Sequence, residues 1–180
     1  KEMRARGVDA DFRATGQTGI FISGRGIAVD SVVADFVSGA AEWLSPAASP
    51  GHWDVIEGQG SLFHPAYAGV TLGLVHGSQP DVLVLCHDLS RTGIADYEGY
   101  AIPSYEACFA AYLAAARLTN PAVRFAGVSL NTSQLDPGSA ARAGVAADAR
   151  VDQPERTAAP AQSPVDLGRK GLVAVDAESG

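Results

Sequence analysis

Long apolar runs, a basic surface and cysteine motifs are all missing from this 180-residue chain. No run approaches the roughly 20 apolar residues that a membrane-spanning helix needs, and the first residues do not form a signal peptide. We therefore expect a soluble, cytoplasmic protein without a membrane partner.

Only two cysteines occur, Cys86 in an apolar segment and Cys108 on the apolar side of an expected helix. Their separation matches no zinc motif, and one pair builds no disulfide framework, so we expect two packing residues in a reducing compartment. The formal net charge of −7 and the scattered arginines provide no face for binding phosphate backbones. This excludes nucleic acid as the expected partner and favours a small molecule.

With 47% hydrophobic residues the chain can bury a full core. Apolar patterns predict four strands alternating with three helices; the strands fall at 11–15, 55–56, 80–86 and 123–130, and the helices at 31–44, 66–76 and 104–118. This alternation predicts an α/β fold, a three-layer parallel sheet with helices on both faces. In the helix at 31–44 the predicted buried stripe comprises Val32, Val33, Phe36, Val37, Ala40 and Trp43.

Composition divides the chain in two. Residues 1–150 are expected to form the α/β domain, with a last short helix at 137–147. Beyond residue 150 periodicity is lost, and 151–180 is expected to be an irregular tail with Leu172–Val175 as a candidate edge strand.

Three glycines recur at helical spacing, Gly69, Gly73 and Gly77. Each costs about 1 kcal/mol against alanine inside a helix, so they indicate a face pressed against a strand, a subunit or a ligand. We expect packing at these glycines, and separately we expect the protein to form a homo-oligomer.

Polar groups follow every predicted strand, and the carboxyl ends of parallel strands share one crevice in which ligands bind. The candidate binding residues, in chain order, are Thr15, Gln17, Thr18, Glu57, Gly58, Gln59, Gly60, Ser61, His64, His87, Arg91 and Asn131. Simple turns at the glycines and a structural role for His87 remain open.

The segment from Val55 to His64 resembles P-loop enzymes of the dethiobiotin-synthetase type, in which the acid after a strand helps to hold a metal or a ligand. The chain contains no Gly-x-x-x-x-Gly-Lys-Ser/Thr sequence. The resemblance implies a P-loop NTPase-like (Rossmannoid) fold whose first strand and phosphate loop would lie before Lys1.

A longer resemblance covers residues 1 to about 135. It is carried by these segments: Arg6–Ala10, Thr15–Ile20, Val33–Phe36, Glu57–Tyr67, Gly69–Leu74 and Leu118–Pro121. They are similar to the P-loop domain of a family long labelled as of unknown function. Its members are described as D-glutamate N-acetyltransferases, which implies acetyl-CoA as co-substrate and D-glutamate as substrate.

Under this resemblance Glu57 or His64 is the catalytic base, and the amides of 58–61 with the Gln59 side chain are oxyanion or substrate donors. Arg91, with Arg25 as second choice, would pair the glutamate carboxylates. The remaining pocket residues would be Thr15, Gln17, Thr18 and Asn131.

Two alternatives stay open. One is an ATP- and magnesium-dependent ligase or kinase, in which Glu57 helps to hold the metal and Asn131 lies near a purine. The other is a non-catalytic nucleotide-sensing or assembly domain whose glycine-rich helix forms a subunit interface.

Overall fold

One parallel five-stranded sheet forms the centre of the fold. This computed structural model describes residues 1–151 and 170–177. The strands are β1 (Ala10–Arg13), β2 (Trp53–Ile56), β3 (Val82–Asp88), β4 (Arg124–Asn131) and β5 (Lys170–Asp176). Their spatial order is β1-β2-β5-β3-β4, and all neighbours are parallel. The predicted α/β class is confirmed.

Six helices accompany the strands in the described residues. They are α1 (Glu2–Ala5), α2 (Gln17–Ser23), α3 (Val37–Leu44), α4 (Ala68–Ser78), α5 (Tyr105–Ala116) and α6 (Pro137–Val151). The α5 helix begins where expected, because the Ser104 hydroxyl caps it by accepting the N–H of Ala107 at 3.2 Å. None of the described helices has the length and apolarity needed to span a membrane.

The core lies between one face of the sheet and the helices α4 and α5. In β2 and β5 buried residues alternate with less buried ones, as the period of two requires. The fully or nearly fully buried side chains include Ile56, Leu83, Leu85, Val173 and Val175 from the sheet and Leu74, Val75, Cys108, Tyr112, Leu113 and Ala116 from the helices. Cys108 is thus a packing residue, as expected, and Cys86 is half-buried.

The position of β5 corrects the sequence-based expectation. Leu172–Val175 was expected at a sheet edge, but β5 pairs with β2 on one side and β3 on the other. Its start is anchored by Gly171, whose N–H donates to the Asp81 carboxylate at 2.8 Å. The apolar run can occupy this central position because Val173 and Val175 are buried in the core. The order of strands along the chain does not by itself set their order in the sheet. Residues 152–169 and 178–180 of the predicted tail lie outside the described part.

The segment 31–44 also differs from expectation. A single helix was predicted, whereas two short 3₁₀ turns, Val29–Ser31 and Ala34–Phe36, precede α3. Because the helix begins only at Val37, its buried positions are Val37, Ala41 and Leu44. The predicted stripe is therefore wrong at Val33, Phe36 and Trp43, which are mostly exposed.

Two of the three spaced glycines, Gly73 and Gly77, pack closely against α3. A Cβ on Gly77 would lie 2.0 Å from the Ser38 carbonyl oxygen, and one on Gly73 would lie 2.7 Å from Val37 Cγ1. A Cβ on Gly69 would meet nothing within 4 Å. Packing was the expected role, and the surface packed against is α3 rather than a strand.

Gly77→Ala is expected to lower the free energy of unfolding by about 1–3 kcal/mol, because the new methyl group meets backbone that cannot rotate away. Gly69→Ala is the matched control and should be neutral or stabilising by up to about 1 kcal/mol, since it adds helix propensity in open space. Urea denaturation of both variants checks this. Equal effects at the two positions would contradict the packing account.

A charged cluster is built around Asp54, which is fully buried in β2. Its carboxylate accepts from Arg13 Nε at 2.6 Å and from the Ser45 hydroxyl at 3.2 Å, and it contacts His52 Nε2 at 3.3 Å. His52 Nδ1 lies 3.0 Å from the Asp9 carboxylate. The hydrogen bond with Asp9, and secondly that with Asp54, raises the pKa of His52 above its ordinary value of 6.5.

The raised pKa of His52 predicts the direction in which its contribution to stability changes with pH. A folded-state pKa above the unfolded value means that the His52 contribution to stability is fully present below pH 6.5 and is lost as the pH rises through the folded pKa. The stability difference between the wild type and His52→Gln should therefore shrink as the pH rises above 6.5. Urea denaturation at a series of pH values measures it, and a difference independent of pH would refute the coupling.

Candidate functional site

The carboxyl ends of β1 and β2 are joined by the side chain of Glu57. Its Oε2 accepts the backbone N–H groups of Thr15 at 2.9 Å and Gly16 at 3.0 Å. In return, the buried Thr15 hydroxyl donates to the Glu57 carbonyl at 2.7 Å. A Cβ on Gly19 would lie 2.1 Å from Glu57 Oε2, so this approach requires a glycine. The structure thus brings together two of the predicted site residues.

The loop of residues 57–64 is held in place from several sides. The Thr71 hydroxyl donates to the Gln59 carbonyl at 2.5 Å, and the Leu62 N–H donates to the hydroxyl of the buried Tyr112 at 3.2 Å. The Ser61 hydroxyl donates to the Ala177 carbonyl, just beyond β5, at 3.1 Å. These bonds tie the loop to α4, α5 and the β5 end, so its shape is set before any ligand binds.

The glycines of this loop have steric reasons of their own. A Cβ on Gly58 would lie 1.7 Å from the Ala174 carbonyl oxygen in β5. Gly60 has φ of +61°, a left-handed conformation that favours glycine. The Gln59 side chain reaches back to β1, since a Cβ on Gly16 would lie 2.4 Å from its Nε2. Packing therefore explains Gly58 and backbone conformation explains Gly60, while Gln59 borders the β1 end.

The consecutive backbone N–H groups of 58–61 are the donors that the loop leaves unused. Within residues 1–151 and 170–177 they donate to no protein acceptor. The next amides are occupied, because Phe63 donates to the Ser61 hydroxyl and His64 to the Ser61 carbonyl. A run of unused amides is the kind of group that binds a ligand oxygen.

His64 follows this loop and is buried, with only 2% of its surface exposed. Its Nδ1 accepts the N–H of Ala66 at 3.1 Å. Its Nε2 is buried and has no hydrogen-bond partner in the described part of the chain. The ring stacks on Tyr67, with centroids 4.4 Å apart, and meets Tyr97 edge to face at 5.0 Å.

A second polar cluster lies at the ends of β3 and β4. The Asp88 carboxylate accepts from the Ser90 hydroxyl at 2.7 Å, the Ser90 N–H at 2.9 Å and the Asn131 amide at 3.0 Å. The Ser90 hydroxyl is the main cause that lowers the pKa of Asp88, and the positive charge of Arg91 adds to it. His87 instead contacts the edge of Tyr105, with ring centroids 5.5 Å apart.

The two clusters share one edge of the sheet but are separated by β5. Neighbouring strands lie about 4.8 Å apart, so Glu57 after β2 and Asn131 in β4 are about three spacings, or about 14 Å, from each other. Asn131 therefore does not contact Glu57. The polar residues expected in one crevice therefore form two separate clusters. Tyr97, in the loop that follows β3, nevertheless packs on His64, which belongs to the cluster after β2.

The two predicted arginines lie in different places. Arg91 lines a cavity of about 870 Å³ formed by residues 90–101, which include Tyr97. Arg25 pairs with Asp11 at 3.3 Å and lines a separate cavity of about 1030 Å³ beside Phe12 and Trp43. Of the two, Arg91 shares its cavity with Tyr97, whose ring contacts His64. Gln17 and Thr18 are exposed at the start of α2.

Sequence reasoning missed Asp88 and Tyr97. Asp88 follows His87 at a strand end, a position that signals a site as clearly as Glu57 does. Tyr97 lies in the loop between β3 and α5, where no sequence motif marks it as a site residue. In the described residues no group of three or more His, Cys, Asp or Glu side chains could hold a metal ion.

This geometry can be compared with known proteins. Residues 1–173 match the profile of the family described as "Domain of unknown function (DUF1611_C) P-loop domain". The chain belongs to this family. The P-loop assignment agrees with the parallel sheet and with the resemblance read from the Glu57–Tyr67 segment.

Two curated relatives carry the name D-glutamate N-acetyltransferase. The protein from Pseudoalteromonas sp is 58% identical over 135 residues, which are 75% of this chain and 41% of the relative. The protein from Tritonibacter scottomollicae is 50% identical over 134 residues, 74% of this chain and 40% of the relative. This member of the DUF1611 family thus spans about two fifths of the length of the curated relatives that it matches.

A solved structure shows the same fold. The crystal structure of a DUF1611 family protein from Anabaena variabilis ATCC 29413 superposes with a TM-score of 0.77 at 35% sequence identity. The match covers 85% of this chain and 45% of that one. It supports the architecture described above for the DUF1611 chain.

Substitutions of Glu57 test whether its side chain joins the carboxyl ends of β1 and β2. Glu57→Ala leaves two backbone donors without their acceptor and should lower the free energy of unfolding by about 1–3 kcal/mol. Glu57→Gln keeps a carbonyl acceptor and should cost less. Hydrogen exchange at the Thr15 and Gly16 amides should accelerate in Glu57→Ala, and unchanged exchange at both would contradict the link.

Proposed function

We propose that this chain is part of an N-acetyltransferase that moves an acetyl group from acetyl-CoA to the amine of D-glutamate. The observation that carries the proposal is the 58% identity with a protein named for that activity. The geometry adds a carboxylate, unused amides and a buried imidazole gathered around one loop.

The reaction needs three things from a protein. A base removes a proton from the substrate ammonium, so that the amine can attack the thioester carbon. Donors stabilise the oxygen that gains charge, and cations hold the glutamate carboxylates. The C–N bond then forms, the C–S bond breaks, and the coenzyme leaves as a thiol after taking up a proton.

Glu57 is the base in this proposal. Its Oε2 is held by the Thr15 and Gly16 amides, which orient the carboxylate, while Oε1 has no hydrogen-bond partner in the described residues. A carboxylate fixed by one oxygen can take the proton on the other. His64 is less suitable, because its Nδ1 already accepts the Ala66 amide.

The unused amides of 58–61 supply the donors. The loop is already held by Thr71, Tyr112 and Ala177, so little ordering is needed when an oxygen binds. The Gln59 side chain, which lies against the β1 end, adds a further amide.

Arg91 is the proposed partner for a substrate carboxylate. It lines the cavity whose wall includes Tyr97, which in turn contacts His64. Arg25 lies in the other cavity and is not part of this proposal. The coenzyme phosphates are not assigned to residues of this chain, which has no phosphate-loop sequence.

Glu57→Gln in the complete gene product should lower kcat by about 100-fold or more while KM for D-glutamate changes little, because the base is lost and the binding groups remain. The assay follows release of the coenzyme thiol, and Glu42→Gln on α3 is the matched control for the same chemical change. Near-normal turnover by a folded Glu57→Gln would remove the base assignment.

Ligand stabilisation separates this proposal from its alternatives. Acetyl-CoA and D-glutamate should each raise the melting temperature. Stabilisation by ATP with magnesium alone, without acetyl transfer, would favour a ligase or kinase. No stabilisation by any of them would favour a domain without catalytic activity.

A further inference from the structure

His64 is a buried imidazole whose two nitrogens differ in their surroundings. The side chain is 2% exposed, so each polar atom should have a partner. Nδ1 has one in the Ala66 amide, and Nε2 has none in the described residues. A buried polar group without a partner is destabilising, and a ligand that supplies the partner is one reason for such a group to be present.

The bond at Nδ1 decides which nitrogen carries the proton. The Ala66 N–H is a donor, so Nδ1 must offer its lone pair. A neutral imidazole then carries its proton on Nε2. While this bond lasts, Nε2 is a donor and cannot accept a proton from a substrate.

The Tyr97 ring lies against this imidazole from the other half of the sheet. It belongs to the loop of residues 90–101, which lines the cavity of about 870 Å³ together with Arg91. This loop has backbone in the left-handed region at Asp96, with φ of +60°, and at Gly99, with φ of +86°. One loop therefore carries both the ring that contacts His64 and a cationic side chain.

We propose that His64 acts as a neutral hydrogen-bond donor, through Nε2–H, to a substrate carboxylate, and that Tyr97 covers this donor until the ligand enters the cavity of residues 90–101. Arg91 pairs with the same carboxylate. That the ligand is D-glutamate rests on the proposed function. The tautomer of His64 and the covering of Nε2 by Tyr97 do not depend on it.

The first test concerns the free protein and involves no acetyl transfer. In ¹⁵N-histidine NMR at about pH 8, where imidazole is ordinarily neutral, His64 should show the Nε2–H tautomer. An Nδ1–H tautomer would overturn the proposal. Because no substrate is present, this result is independent of whether the protein is an acetyltransferase.

The second test asks whether the Tyr97 ring shields His64 Nε2 from solvent. Tyr97→Ala should accelerate solvent exchange of the His64 Nε2 proton by about tenfold or more, because the ring that shields it is gone. Tyr97→Phe, which keeps the ring, is the matched control and should exchange like the wild type. Equal exchange in Tyr97→Ala and the wild type would overturn the role of Tyr97.

The third test distinguishes a hydrogen-bond donor from a catalytic base at His64. His64→Gln keeps an N–H donor near the same place, whereas His64→Leu does not. For a donor that binds a carboxylate, KM for D-glutamate should rise about 10- to 100-fold in His64→Leu and much less in His64→Gln, with kcat less affected in both. Loss of kcat in both folded variants with KM unchanged would overturn the donor role. If either variant fails to fold, the NMR tautomer of the wild type still decides.

Discussion

The central strand β5 is the constraint on which the sheet depends. It is hydrogen-bonded to β2 on one side and β3 on the other, so it joins the pairs β1-β2 and β3-β4 into one sheet. Val173 and Val175 fill the core between α4 and α5, and the turn after the strand receives the Ser61 hydroxyl. The strand that joins the two halves therefore also supports the loop of the candidate site.

That loop combines rigidity with unused hydrogen-bonding capacity. Side chains of α4 and α5 bind a carbonyl and an amide of the loop, and the loop's Ser61 hydroxyl donates to the Ala177 carbonyl beyond β5. Four consecutive amides of the loop keep no protein partner in the described residues. Fixed donors are valuable in acyl transfer because they need no reorientation as charge develops. In contrast, the 90–101 loop reaches His64 mainly through ring contacts, which are easier to separate than a set of hydrogen bonds.

Strand β2 carries an acid near each of its ends, and the two acids have different surroundings. Asp54 is surrounded by Arg13, Ser45 and His52, which together satisfy a fully buried carboxylate. Glu57 receives only backbone amides at one oxygen. The first arrangement is that of a structural charge cluster, and the second leaves an oxygen for chemistry.

From the sequence one could predict the α/β class, most strands and helices, and the gathering of polar groups at strand ends. A packing role was predicted for three spaced glycines and holds at Gly73 and Gly77 but not at Gly69. These predictions follow from local periodicity, from turn chemistry and from the shared direction of parallel strands. The sequence also carried the family resemblance, through the segment around Glu57.

Three features could be seen only in the folded chain: the position of β5 between β2 and β3, the separation of Asn131 from Glu57, and the contact between Tyr97 and His64. Each of these depends on which segments become neighbours in space, and periodicity along the chain contains no information about that order. The tautomer of His64 likewise follows from one amide that a turn directs at Nδ1, a relation set by backbone geometry rather than by residue type.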